Sequence, residues 1–299
     1  MRAWISIERL AQDLRFSLRL LRKNPGFATV AILTLAIGIG ANTAIFSIMD
    51  AVLLRPLPYP QSSQLIRIWQ SEPRMGEGHL GAAPPEFASY RDGARAFSTV
   101  AGYHPESFDL TNQGAPEHLS GYLASAALFD ALRVPPLLGR TFTRQEELPG
   151  ASKVVVLSYE FWRRHFAEDP RVLGKLLRLN ERPYQVIGVM PKSFIFPSTA
   201  ATPGVPPALW APLSFTADEL EDWASSFDTQ IIARLSNGVS LSQAREDVKR
   251  VAAEFQKDHP NIYSGNVRLE AAAERGRPNL RDTPPSSWKC WALQSDLFC

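Results

Sequence analysis

Residues 27–54, FATVAILTLAIGIGANTAIFSIMDAVLL, carry no charge before Asp50. An α-helix rises about 1.5 Å per residue, so a run of this length crosses a hydrocarbon core of about 30 Å. A helix also bonds its own backbone and can sit where no water is available. Phe27, Val30, Ile32, Leu33, Leu35, Ile37, Ile39, Ile45, Phe46 and Ile48 each favour insertion by roughly 0.3 to 0.6 kcal/mol, and together they outweigh Thr34, Asn42 and Thr43. A core helix rarely runs so far without a charge. A secretory signal has a shorter apolar region close to the N-terminus, whereas here 26 residues come first. A spanning helix over 25–54 is therefore predicted.

Arg2, Arg9, Arg15, Arg19, Arg22 and Lys23 precede the span, and only Arg55 and Arg67 follow closely. The positive-inside rule places the N-terminus in the cytoplasm and everything after residue 54 outside, which in a bacterium is the periplasm. Within residues 1–24, Trp4, Ile7, Leu10, Leu14, Leu18 and Leu21 recur at helical spacing, and the arginines fall largely elsewhere. That pattern predicts an amphipathic helix along the inner leaflet, broken by KNPGF before the span. Packing of the same helix on protein stays open as an alternative. Inside the span, Ala36, Gly40 and Ala44 share one face, where a second helix can approach closely. Asn42 lies near the bilayer centre, where an amide gains from a partner across a helix interface. Simple tolerance of these four residues in lipid also stays open.

The formal net charge is +2, and the basic excess lies in the first 23 residues. No nucleic-acid footprint remains once that segment is assigned to the membrane. The two cysteines, Cys290 and Cys299, lie beyond the exported part, which at residues 55–273 is large enough for a hydrophobic core without disulfides. Its pattern mixes strands and short helices without regular βαβ alternation, predicting an α+β fold. Strands are expected at 65–69, 97–103, 154–157 and 230–235. Ser125 and Ser158 are expected as helix caps, and Asn180-Glu181 as a hairpin turn. Thr216/Glu219 and Ser240/Gln243 have the capping-box spacing, and Leu241, Ala244, Val248, Val251 and Phe255 form an apolar stripe ending at Pro260.

Sites of chemistry are not evident. There is no G-x-x-x-x-G-K-[ST] loop for ATP phosphates and no G-x-S-x-G elbow. His79, His104, His118, His165 and His259 are scattered without metal-ligand spacing, and Glu146-Glu147 and Asp218 to Asp222 read as solvated loop and helix-start charges. No catalytic residue, metal or cofactor is expected.

The blocks LRLLRKNPGFATVAILTLAIGIGANTAIFSIMDAVLLRPLPYP, LGRTF, VVVLSYEFWRRHF, LGKLLRLNERPYQVIGVMPKSFIFP, LWAPL and ARLSNGVSLSQAR, in this order, resemble the MacB/FtsX-type ABC transporter permeases. They are most similar to the long duplicated permeases common in acidobacteria, and the resemblance covers residues 13–269. It implies a periplasmic core domain with an α/β porter-like part and an inserted second subdomain, held between one transmembrane helix and three more. It also implies partners: a separate ABC ATPase, and a periplasmic adaptor or second permease copy. Residues 274–299, which are rich in Pro and Ser, depart from the family. They lack the pattern of a further span and read as an irregular, disordered tail after a truncation or frame shift. The leading expectation is thus a permease component of an inner membrane, working without chemistry of its own. A membrane-tethered binding module for an extracytoplasmic ligand or protein is the second reading, and an anchored hydrolase the third.

Overall fold

The structure, a computed structural model, describes residues 23–49, 59–71, 80–196, 206–224, 226–260, 262 and 268–273. The chain divides into two compact units, residues 1–55 and 56–299. The predicted amphipathic helix, the tail, His79 and most of the proline-rich stretch at 197–207 lie outside the described residues.

The first unit contains helix α1, Pro25–Met49. Pro25 is tolerated at its start because the first-turn N–H groups have no partner within a helix. The apolar window Pro25–Ala44 has none of its residues buried, and by length and composition it is able to cross a membrane. Its polar side chains are treated unequally. The hydroxyls of Thr29 and Thr34 fold back onto the carbonyls of Pro25 and Val30, each at 2.8 Å, and so satisfy themselves without water.

The second unit is built on one continuous mixed sheet. In chain order its elements are β1 (Leu65–Ser71), α2 (Pro84–Gly93), β2 (Phe97–Leu110), β3 (Glu117–Ala124), α3 (Ala127–Leu132), β4 (Leu138–Gly139), β5 (Val154–Leu157), α4 (Tyr159–Phe166), β6 (Leu176–Leu179), β7 (Arg182–Val189), β8 (Leu209–Pro212), α5 (Ala217–Glu221), β9 (Gln230–Leu235), α6 (Leu241–Asp258) and β10 (Arg268–Ala273). Among the described residues the strand order is β10-β1-β9-β2-β3-β8-β5-β7-β4, with β6 joining β2 and β7. β3–β8 and β5–β7 are parallel and the other pairs antiparallel. The fold is α+β, as the sequence predicts.

The lobe made by β3–β8 and α4 is inserted between β2 and β9, which are neighbours in the sheet. β2 carries the connection: it pairs with β9 through residues 97–103 and with β3 through residues 103–110. The expected strand at 97–103 is therefore only the first half of a 14-residue strand. Three apolar clusters follow. One lies between the sheet and helices α2 and α6, with Phe87, Tyr90, Val248, Val251 and Phe255. A second gathers Tyr59, Tyr122, Phe129, Phe194, Phe196 and Trp210 with α3. The third packs α4 on the inserted lobe through Phe161, Trp162 and Phe166.

Local signals are met at most boundaries. Ser158 accepts the Phe161 N–H at 3.2 Å. Thr216/Glu219 and Ser240/Gln243 close their capping boxes. Asn180 and Glu181 both have positive φ, 47° and 63°, the two-residue hairpin geometry that matches strand twist. Two expectations need correction. Ser125 does not cap α3: its hydroxyl is buried and accepts the Gly102 N–H across the sheet at 3.0 Å, because the chain turns into the core there. In α6, Leu241 is only half-buried and Ala252 joins the stripe, since the core reaches the helix middle rather than its first turn. At the far end of the sheet, Gly139 has φ 69°, and an added Cβ would lie 2.1 Å from the Ile187 carbonyl oxygen. Only glycine allows β4 to approach β7 so closely.

Candidate functional site

On α1 the residues expected to pack helices, Ala36, Gly40, Asn42 and Ala44, are all exposed. A Cβ added at Gly40 meets nothing within 4 Å, and neither does one added at Gly38, which lies about 200° round the helix from it. At about 100° per residue, Ala36, Gly40 and Ala44 form one strip, whereas Asn42 falls about 200° round from Gly40. The small-residue strip and Asn42 therefore lie on opposite sides of α1. Unlike Thr29 and Thr34, the Asn42 amide makes no hydrogen bond to the described residues.

In the second unit, the most unusual arrangement surrounds Arg234 on β9. Its side chain comes from the apolar strand QIIARL and is 1% exposed. Its Nε donates to the Ala131 carbonyl at 2.7 Å, at the end of α3. Its Nη1 donates to the Gln61 carbonyl at 3.1 Å and to Gln64 Oε1 at 3.4 Å, and its Nη2 to the Pro60 carbonyl at 3.1 Å. These acceptors are all neutral. Burial pushes the guanidinium pKa down, and the charge of Arg133 adds to the effect. Arg133 itself, with φ 55° after the last turn of α3, donates to Gln61 Oε1. Tyr59 is tied separately: its hydroxyl donates to the Ile195 carbonyl at 2.5 Å and its ring packs on Phe194. The first residues described after α1, 59–64, are thus clamped to β9, α3 and the 194–196 segment. The sequence signal, one charge in an otherwise apolar strand, does not by itself tell a surface arginine from a buried one.

Buried carboxylates serve structure. Glu86 is fully buried at the start of α2, accepting the Ala83 N–H at 2.9 Å and the Gln70 side-chain amide. The expectation for Glu146-Glu147 holds for neither as simple solvated charge. Glu146 accepts two hydrogen bonds from Arg140, which lower its pKa, and also binds the Thr143 N–H. Glu147 receives the Ala126 N–H, and burial raises its pKa against the pull of that bond and of Arg91 and Arg144. The region is half-closed because the 144–147 turn folds back on the start of α3.

The described histidines take structural places. His118 pairs with Asp109 at 2.8 Å, His165 with Glu117 at 3.1 Å, and His259 stacks on Trp223 with ring centroids 4.2 Å apart. His104 is 3.8 Å from Asp228. No group of three or more His, Cys, Asp or Glu side chains is placed to hold a metal among the described residues. The grooves are shallow. One of about 390 Å³ between α2 and α6 is lined by Trp223, Phe255 and His259 together with Asp92, Glu254 and Asp258. Asp92 is already paired with Arg91, and Glu254 with Arg250.

A family model for the MacB-like periplasmic core domain matches residues 28–251. The periplasmic region of MacB from Actinobacillus actinomycetemcomitans is 16% identical, with a TM-score of 0.51 over 78% of this chain and 94% of that one. A domain assigned to a permease protein from Porphyromonas gingivalis is 17% identical, with a TM-score of 0.51 over 75% of this chain and 97% of that one. At these identities the two structures share the fold. No match is found among curated proteins.

Proposed function

Because the chain belongs to the family of MacB-like periplasmic core domains, found in ABC-type transporter permeases, we propose that it is a membrane-embedded permease component that transmits movement rather than performing a reaction. In this reading α1 crosses the bacterial inner membrane with its N-terminus in the cytoplasm. The unit from residue 56 stands in the periplasm. A separate ABC ATPase supplies the energy, and a periplasmic adaptor or second permease copy receives the motion. Ala36, Gly40 and Ala44 on one side of α1, and Asn42 on the other, contact sister helices.

One observation carries the reading: α1 has no buried residue across its apolar window, its Thr29 and Thr34 hydroxyls are satisfied by the helix itself, and lipid is the solvent that suits such a surface. The architecture that follows suits a lever. A single sheet runs through both lobes, and Arg234 fixes residues 60–64 to its centre, so a displacement of that segment is passed to the whole domain.

The test is topological and biochemical. In spheroplasts, externally added protease should digest the unit from residue 56 and spare the N-terminus, and the chain should resist alkaline carbonate. Solubilised in mild detergent, it should co-isolate with a co-expressed nucleotide-binding ATPase subunit. Protection of the large unit, or extraction by carbonate, would overturn the reading.

A further inference from the structure

Of the asparagines among the described residues, Asn237 alone is followed by glycine. The pair forms the two central positions of the turn that carries β9 into α6. That turn is closed by the Val239 N–H on the Ser236 carbonyl at 3.1 Å, and the Ser236 N–H is itself held on the Ala96 carbonyl at 3.0 Å. Gly238 has φ 80°, the type II geometry that glycine adopts at no steric cost. Between these fixed flanks the 237–238 peptide is free to rotate. Neither the Asn237 carbonyl nor the Gly238 N–H has a hydrogen-bond partner among the described residues. Both residues are exposed, and a Cβ at 238 would meet nothing within 4 Å, so no neighbour screens the Gly238 nitrogen.

Side-chain restraint separates Asn237 from two other exposed loop asparagines. Asn180 Oδ1 accepts the Asp109 N–H at 2.7 Å, and its Nδ2 donates to the Ser107 carbonyl at 3.2 Å. Asn112 Oδ1 accepts the Arg178 N–H at 2.8 Å, and its Nδ2 donates to the Leu176 carbonyl at 3.0 Å. Neither amide can swing onto the following nitrogen without losing two hydrogen bonds. The Asn237 amide makes no hydrogen bond among the described residues, so it swings at no such cost.

We propose that Asn237 is a site of spontaneous deamidation. The Gly238 nitrogen, losing its proton to hydroxide, attacks Asn237 Cγ. The new N–Cγ bond closes a cyclic imide as the Cγ–Nδ2 bond breaks and ammonia leaves. Water then opens the imide at either carbonyl and gives aspartate or isoaspartate, with no oxidant, metal or partner protein involved. The product carries a new carboxylate three residues before the Ser240 cap, on the side of the positive end of α6. In the isoaspartyl form one extra methylene enters the main chain between the Ser236 anchor and the helix. The proposal rests on this turn alone, independently of the proposed function.

The full chain, purified in mild detergent, is incubated at alkaline pH either folded or unfolded in guanidinium chloride, then digested with trypsin at mildly acidic pH. Mass spectrometry follows the peptide Leu235–Arg245, which contains Asn237, and the peptides containing Asn112 and Asn180. The first should gain the mass difference between water and ammonia, localised to residue 237 by fragmentation. It should also split into two isomers, of which an isoaspartate methyltransferase labels one. A turn that opens at almost no cost reacts nearly as fast as the unfolded chain, so the folded rate at 237 should lie within about tenfold of the unfolded rate. At Asn112 and Asn180 the ratio of folded to unfolded rate should be lower than at Asn237. Conversion of Asn237 in the unfolded chain only would overturn the proposal. So would equal ratios at the three asparagines, or an acidic product without the isoaspartyl isomer, which means direct hydrolysis.

Discussion

Replacing Arg234 with methionine tests how the domain holds the segment that leads in from α1. The guanidinium makes four hydrogen bonds, to Ala131, Gln61, Gln64 and Pro60. Burial takes the guanidinium out of water and, with the Arg133 charge, lowers its pKa, so removing the charge offsets part of what is lost. Methionine, however, offers no donor. The Ala131 carbonyl belongs to a buried residue and is left unmet, at about 1–3 kcal/mol. Pro60 and Gln61 are exposed and can turn to water, so their loss is mainly one of position. The balance is a destabilisation of about 2 kcal/mol, which for a domain of this size is a drop in melting temperature of roughly 4–8 °C. Lysine keeps the charge but has three donors on a flexible stem, so R234K should fall between parent and R234M. Thermal unfolding of the full chain in detergent reads the global term. Amide hydrogen exchange reads the local one, and Gln64 and Leu65 should lose protection in R234M well before the sheet does. If R234M melts with the parent and leaves exchange across 61–65 unchanged, the clamp does not hold the exit segment.

Three further outcomes are expected. Gly139→Ala places a Cβ 2.1 Å from the Ile187 carbonyl oxygen at a residue with φ 69°, and should lower the urea midpoint by an amount equivalent to about 2–5 kcal/mol without changing membrane extraction. Burial holds the Glu147 carboxyl above its ordinary value. An acid whose pKa is higher folded than unfolded binds its proton more tightly when folded, so its ionised form costs stability at neutral pH, and that cost fades as pH falls through the folded value. Glu147→Gln should therefore be the more stable protein at pH 7.5, with the difference gone below about pH 4, as urea titrations across that range will show. Gly40→Leu and Asn42→Leu should each weaken helix association in the membrane by about 0.6–2 kcal/mol, and additively because they face opposite sides. Energy transfer between labelled copies or with the ATPase subunit reads the loss, and the melting of the periplasmic unit should not move.

Much of the fold was legible because it is written in short-range chemistry. The long apolar helix α1 needs only a charge-free run of sufficient length. Ser158, Thr216 and Ser240 reach N–H groups three residues away, and Asn180-Glu181 needs only two residues able to take positive φ. Where a residue's role depends on something far along the chain, the sequence was silent or misleading. Ser125 has the right position for a cap, yet a strand 23 residues back claims its hydroxyl. β4 is two residues long and β10 is rich in alanine, and each is a strand because β7 or β1 offers it a ladder. Glu147 reads as a loop charge until the turn that carries it folds against α3.

The same division runs through the site. The sequence alone determined that there is an apolar rod with a small-residue strip and one central amide, because helical periodicity places Ala36, Gly40, Asn42 and Ala44 without reference to anything else. Only the tertiary structure decided that Arg234 lies inside, caged by carbonyls from residues 60, 61 and 131, and that the Asn180 amide is tied to β2 at both ends. The physical reason is that burial belongs to an environment assembled from distant segments, whereas a residue's place on a helix face is fixed by its own neighbours.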